Sequence, residues 1–470
     1  MKKRYFPLIL AFTFALAGCT PETLSLDEST YEPPFQPYYI DEPACEYPYE
    51  EDVPDAYPYS PIPYESAAGL FKGLEELFDQ DDGALWGVPL HAPFLFFHRE
   101  SRVVVTNQPD LHGLLTKQGD VYTGTVPEDL IFGYGTIDLG GVYWAMMEWI
   151  PGMEDWATNH SFMNMTHTVF HWIQPTLFDV DIIYFERNLH HMDEKDARIS
   201  ILLEVNALMM ALGSQGEQRI EFIADALSIR DARRQQFDRG LDESRHEVIE
   251  GTATYTEYSL NMDRKDQIMT QLRLFQQGMM VNSPSLLWTF GYVSGSLYAF
   301  LMSDMEIDWK DGINEYTDLG SLLMEGAGIT ELRPLCEIDL SRYGYEEITL
   351  RETTRAREVE NRSQEIINAF SDQPLLRFID GIEHFIPSGF WFTLPEWGMV
   401  YRVHSFTGDF GRLVFSREGD VIHYQDDFFK IVALDVEVDG NHIIGSNWTL
   451  ELNEGFEIQT DGEDFVVVRR

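Results

Sequence analysis

Two histidines four residues apart, in His167-Thr-Val-Phe-His171, are the residues of this chain best placed to do chemistry. On a helix such a pair projects from one face, close enough for both imidazoles to bind one Zn²⁺. A metal-bound water becomes a nucleophile when a neighbouring base takes its proton, and the residue after the first histidine is where a helix can carry that base. Here that position is Thr168, whose hydroxyl is no base near neutral pH. The pair predicts metal binding; the residue beside it argues against efficient hydrolysis.

Further along, His246-Glu-Val-Ile-Glu250-Gly-Thr-Ala-Thr-Tyr255 reads as a second helix. Glu247 is the carboxylate near the motif that could replace the missing base, since three residues from Glu250 it can share a face. His246 reads as a helix-surface histidine, with a supporting or replacement ligand role as the alternative. Small residues at Gly251 and Ala253 would let this helix approach the first closely. His190 and His191, in a charged stretch before Asp193, read as loop. A plainer reading of the pair itself stays open, because Phe170 and Trp172 beside it suit a buried helix with satisfied histidines.

The elements that must hold these residues follow from periodicity. A short helix over 67–78 leads into alternating and β-branched runs at Phe94, Arg102, Val121, Leu130 and Val142, with turn residues at Asn107-Gln-Pro-Asp, Gln118-Gly-Asp and Leu139-Gly-Gly. This predicts an antiparallel β subdomain of about five strands. Helical spacing dominates from about 157 to 310: 165–173 around the histidine pair, 197–212, 220–237, 244–260, 266–277 and 294–302. After about 385 strands return, at 389–393, 399–403, 412–415, 448–452 and 465–468, as a small β module. The fold class expected is α+β: an N-terminal antiparallel β subdomain (66–156), a central helical domain (157–385) and a C-terminal β module (386–470).

The chain opens with an address. Lys2, Lys3 and Arg4 precede an apolar run over 6–16, which is too short for a membrane span and has the form of a bacterial secretory leader (1–18). Leu16-Ala17-Gly18-Cys19 looks like a lipobox, which implies cleavage before Cys19, lipid on its thiol and new amino group, and anchoring in the cell envelope. Thr20 beside it resembles lipoproteins sorted to the outer membrane. Residues 19–65 read as a tether: twelve acidic residues and no Lys or Arg from 20 to 65, with repeated Pro and Tyr. The 33 basic and 79 acidic residues give a net charge of −46. So acidic a surface repels nucleic acid and excludes the usual footprint of its binders. Beyond Cys19 only Cys45 and Cys336 remain; an oxidising compartment permits a bridge, and two separate thiols are the alternative.

Several motifs together resemble the gluzincin zinc metallopeptidases. Glu250-Gly-Thr-Ala253 is similar to their Glu-Gly-x-Ala segment, which implies that Glu250 is the third ligand after His167 and His171. Tyr292-Val-Ser-Gly-Ser-Leu-Tyr298 resembles their Tyr-x-x-Gly segment, which implies that Tyr292 could stabilise an oxyanion. The order of β subdomain, His-x-x-x-His-Trp-Ile-Gln174, helical pair and β tail is similar to secreted bacterial proteins carrying His-Glu-x-x-His-Arg-Ile-Gln. This chain departs from that pattern at Thr168 and Trp172, and the 79-residue step from His171 to Glu250 is longer than in the aminopeptidase branch. The resemblance implies a lipoprotein with a degenerate zinc-peptidase fold, a pseudoenzyme acting by binding a peptide or protein ligand. Two alternatives stand beside it: an active zinc hydrolase with another base, and a metal-free structural or adhesion lipoprotein.

Overall fold

The structure is a computed structural model describing residues 62–99, 101–126, 135–150, 153, 159–178, 180, 189–283, 285–378, 382–394, 397–423 and 428–470. The leader, Cys19, the tether up to residue 61, Cys45 and the strand expected at 130–134 lie outside these residues, so the Cys45–Cys336 question does too. Cys336 itself is exposed. The protein is α+β, with a sheet near each end of the described chain and helices between them.

Helix α1 (Tyr64–Asp81) precedes strands β1 (Phe94–His98), β2 (Val103–Thr106), β3 (Thr116–Gln118), β4 (Val121–Thr125), β5 (Gly135–Leu139) and β6 (Val142–Glu148). They form one sheet in the order β3-β4-β2-β1-β6-β5. Its pairs are antiparallel except β1 with β6, which run parallel, so the sheet is mixed and has six strands rather than the antiparallel subdomain of about five that the sequence suggests. The apolar run Phe94-Leu-Phe-Phe97 has a direct explanation. Phe94 and Phe96 face the large helical core, while Leu95 and Phe97 face a second cluster with Leu115, Leu139 and Trp144. A central strand covered on both faces has no solvent side to keep polar.

The motif helix α2 (Asn159–Phe178) packs on β5 and β6. Helices α3 (Lys195–Leu212) and α4 (Gly216–Phe237) form a hairpin. Next comes a helical rod that sequence periodicity reads as one helix. The structure divides it into α5 (Gly240–His246), a π-helical turn (Glu247–Gly251) and α6 (Thr252–Asn261). Helix α7 (Lys265–Gln276) ends in another π turn (Gln277–Val281), and α8 (Phe290–Asp304) is buried along nearly its whole length.

After α9 (Leu319–Gly326), the 28-residue α10 (Tyr345–Asp372) leads to the second sheet. Its first turns enter the helical core through Ile348 and Glu352, and its last turns lay Ile366 and Phe370 against Phe392, Leu394 and Ile422. That sheet holds β7 (Leu375–Phe378), β8 (Ile382–Leu394), β9 (Gly398–Gly408), β10 (Gly411–His423), β11 (Phe429–Val432), β12 (Glu437–Asp439), β13 (His442–Ile444), β14 (Trp448–Leu452), β15 (Phe456–Asp461) and β16 (Asp464–Arg469). It begins at residue 375, about ten residues before the boundary at 386 that composition suggests. Among the described residues no helix is long and apolar enough to cross a membrane.

Candidate metal centre

The helical rod crosses α2 so that His167, His171 and Glu250 converge, although 79 residues separate the second from the third. Three ligand atoms form a nearly regular triangle. His167 Nε2 lies 3.0 Å from His171 Nε2, and Glu250 Oε2 lies 3.4 Å from the first and 3.3 Å from the second. A tetrahedral zinc with bonds of about 2.0–2.1 Å requires ligand atoms about 3.3 Å apart, so these edges fit without rearrangement. The donor chemistry fits as well: two imidazoles and one carboxylate. Glu250 Oε2 is buried and makes no hydrogen bond, which leaves it available to a metal ion.

Both rings are oriented from behind. His167 Nδ1 lies 3.1 Å from Glu257 Oε2, two helical turns beyond Glu250, and His171 Nδ1 lies 3.0 Å from Gln174 Oε1. These contacts place a proton on each Nδ1, which leaves the Nε2 atoms turned inward as the positions a metal ion would take. The Tyr292 ring, in the first turn of α8, stacks parallel on His167 with 5.5 Å between centroids. Burial works against a charged His167, but Glu250 and Glu257 outweigh it and raise its pKa to about 9. Burial likewise works against the Glu250 carboxylate, and His171 and His167 outweigh it, holding the group well below its ordinary range. This is a cation-shaped hole: without metal, a proton serves as the counter-charge.

Thr168 is half-buried and gives its hydroxyl proton to Asn164 O at 2.8 Å, the carbonyl one turn back on its own helix. Glu247 does not stand in for a base. Arg230 holds both its oxygens, Ser294 Oγ donates to it at 2.8 Å and Arg234 approaches to 3.6 Å. It belongs to a buried ionic cluster built by Arg230, Arg233 and Arg234 on one face of α4. Their partners are Glu204, Glu243, Glu247 and Asp318, and Tyr298 donates to Glu204. The cluster anchors the π turn through Glu247.

Other residues differ from their sequence reading. His246 is 1% exposed and lies against Phe290 and Gly291 of α8, so it is no surface histidine. His190 and His191 lie in a 3₁₀ turn, with His191 Nε2 buried against Glu243 Oε1 at 2.8 Å. Gly251 serves a close approach to α8 and not to α2: a Cβ there would meet Gly295 Cα at 2.4 Å. Sequence reasoning misses Glu257 and the work of Gln174. A signal for the first exists, because seven residues from Glu250 to Glu257 is two turns on one face. No known protein family, curated protein or solved structure matches the chain.

Proposed function

We propose that this is a gluzincin-like zinc-binding protein that has lost efficient peptide hydrolysis and acts by binding a peptide or protein ligand, as a lipoprotein anchored through Cys19 to the cell envelope. The observation that carries the reading is the triangle of His167, His171 and Glu250 together with a Thr168 hydroxyl turned into its own helix. His167, His171 and Glu250 would hold the ion, while Glu257 and Gln174 keep the rings in register. Bound there, zinc supplies a Lewis acid and a water of lowered pKa. Taking a proton from that water is work for a carboxylate, and Thr168 has none to offer. General-base assistance is worth about 10²–10⁴ in rate. Without it, ligand capture survives and turnover does not.

Metal analysis of the purified protein tests this. About one zinc per chain is expected, lost in His167→Ala and in Glu250→Ala, with negligible cleavage of a general peptide library. A protein that stays zinc-free after supplementation sinks the metal reading and leaves a structural lipoprotein. Vigorous, chelator-sensitive cleavage by the wild type sinks the loss of hydrolysis.

A further inference from the structure

We propose that Gln174 is the positioning residue of this centre, one amide that sets the tautomer of His171 and holds open the π turn that aims Glu250. The proposal deepens the zinc reading, but its geometry is that of the protein alone. Gln174 is fully buried on α2, three residues after His171. Its Nε2 lies 3.2 Å from Val248 O, 2.8 Å from Ile249 O and 2.9 Å from Thr252 Oγ1. Carbonyl oxygens only accept, so the atom between them must be the amide NH₂. The orientation of the amide is thereby fixed, and its Oε1 faces His171 Nδ1 at 3.0 Å. That oxygen only accepts, so Nδ1 carries the proton, and in the neutral ring Nε2 keeps the lone pair that a metal ion would take.

The other end of the amide acts on the backbone. A π turn holds one residue more than an α turn, and its extra carbonyl needs a donor from outside the regular ladder. Val248 and Ile249, whose carbonyls Gln174 meets, lie inside the π turn Glu247–Gly251 that carries Glu250. Thr252 completes the arrangement by giving its own hydroxyl proton to Val248 O at 2.6 Å. Return of this turn to α spacing would remove one residue from it, a rotation of about 100° and a shift of about 1.5 Å. Glu250 would leave the histidines. The functional signature of this chain is thus His-x₃-His-x₂-Gln on α2 paired with a π turn on the facing rod.

Two substitutions separate the two jobs. Gln174→Glu keeps an acceptor for His171 Nδ1 and places oxygen against the two carbonyls, whereas Gln174→Met removes both contacts. Zinc affinity measured by chelator competition is expected to fall about 10- to 100-fold in each, the usual cost of removing a group that orients a ligand. In the metal-free proteins, nitrogen-15 spectra of labelled histidine should show His171 keeping its Nδ1 proton in Gln174→Glu and losing that preference in Gln174→Met. Wild-type affinity together with an unchanged His171 tautomer in Gln174→Met overturns the proposal. Should Gln174→Met fail to fold, Thr252→Val keeps the volume and removes one partner of the amide. A several-fold loss of affinity is expected there, and an unaltered crystallographic position of Glu250 with unaltered affinity counts against the idea. If wild-type protein takes no zinc, the zinc reading falls while the tautomer and the position of Glu250 still decide the role of Gln174.

Discussion

Gly251→Ala should be among the most damaging single-methyl changes in this protein, and its cost follows from the packing of the π turn on α8. A Cβ at 251 would sit 2.4 Å from Gly295 Cα, 2.6 Å from Gly295 C and 2.9 Å from Ser296 N. All three are backbone atoms, so no rotamer change relieves the clash. Reaching ordinary contact near 3.4 Å requires the elements to part by about 1 Å. The Ser294 hydrogen bond to Glu247, now 2.8 Å, then breaks. Overpacking costs about 1–3 kcal/mol and a hydrogen bond to a buried charge about 1.5–3 kcal/mol. Alanine in place of a helical glycine returns about 1 kcal/mol, leaving a net loss of about 1.5–5 kcal/mol. Gly278 provides the control, since it also lies in a π turn and a Cβ there meets nothing within 4 Å. Gly278→Ala should stabilise by about 0.4–1 kcal/mol through the unfolded chain. Urea unfolding of both metal-free variants, followed by circular dichroism, makes the comparison. Equal stability in the two would refute the close approach of the π turn to α8.

Three further outcomes follow from the site and its supports. Thr168→Glu restores a carboxylate where a base belongs and should raise cleavage of a general peptide library by about 10²–10⁴; a zinc-loaded variant no faster than wild type would show that the missing base is not the barrier. Glu257→Gln leaves the His167 Nδ1 proton without its charged acceptor and should weaken zinc binding about tenfold or more, read by chelator competition, while affinity within twofold of wild type would contradict the orienting role. Glu352 is buried, which alone would raise its pKa, but Arg198 and Arg355 outweigh burial and hold it below its ordinary 4.5. A depressed carboxylate stabilises the fold above its unfolded pKa, and that contribution disappears as pH falls through the folded value. At pH 7 Glu352→Gln should therefore be less stable than wild type by about 3–5 kcal/mol, and the gap should close in acid. A gap that stays constant from pH 7 to pH 3 would remove Glu352 from the ionic core.

What the sequence made legible is what periodicity and side-chain chemistry encode. The run Phe94-Leu-Phe-Phe97 announces a strand, and its burial on both faces follows from its having no polar side. The helix at the histidine pair and the helices over 197–212 and 220–237 appear in place as α2, α3 and α4. By contrast, α10 is hard to see because its fully buried residues are few and widely spaced, Ile348, Glu352, Ile366 and Phe370, and the charged residues between them read as surface. Arg230, Arg233 and Arg234 were equally hidden. An acidic chain invites the assumption that charges are solvated, yet these three build a buried cluster. The π turn was out of reach for another reason. Val248 to Gly251 carry no composition that distinguishes π from α, and the donors that meet their carbonyls come from Gln174, 74 residues earlier, and from Thr252.

The number of protein ligands bears on what such a centre is for. Structural zinc sites close their tetrahedron with four protein ligands, whereas three leave a position for a molecule from solution. Among the described residues three ligand groups converge here, and the atoms behind them are Glu257 and Gln174, each already committed to a ring Nδ1. The rod that brings Glu250 to α2 is held by a glycine contact, a buried ionic cluster and an amide between two carbonyls. At Thr168 this chain places a hydroxyl bound to its own helix, which supplies neither a ligand nor a base. The proposed binding role, a centre that holds a ligand and releases it unchanged, rests on this arrangement.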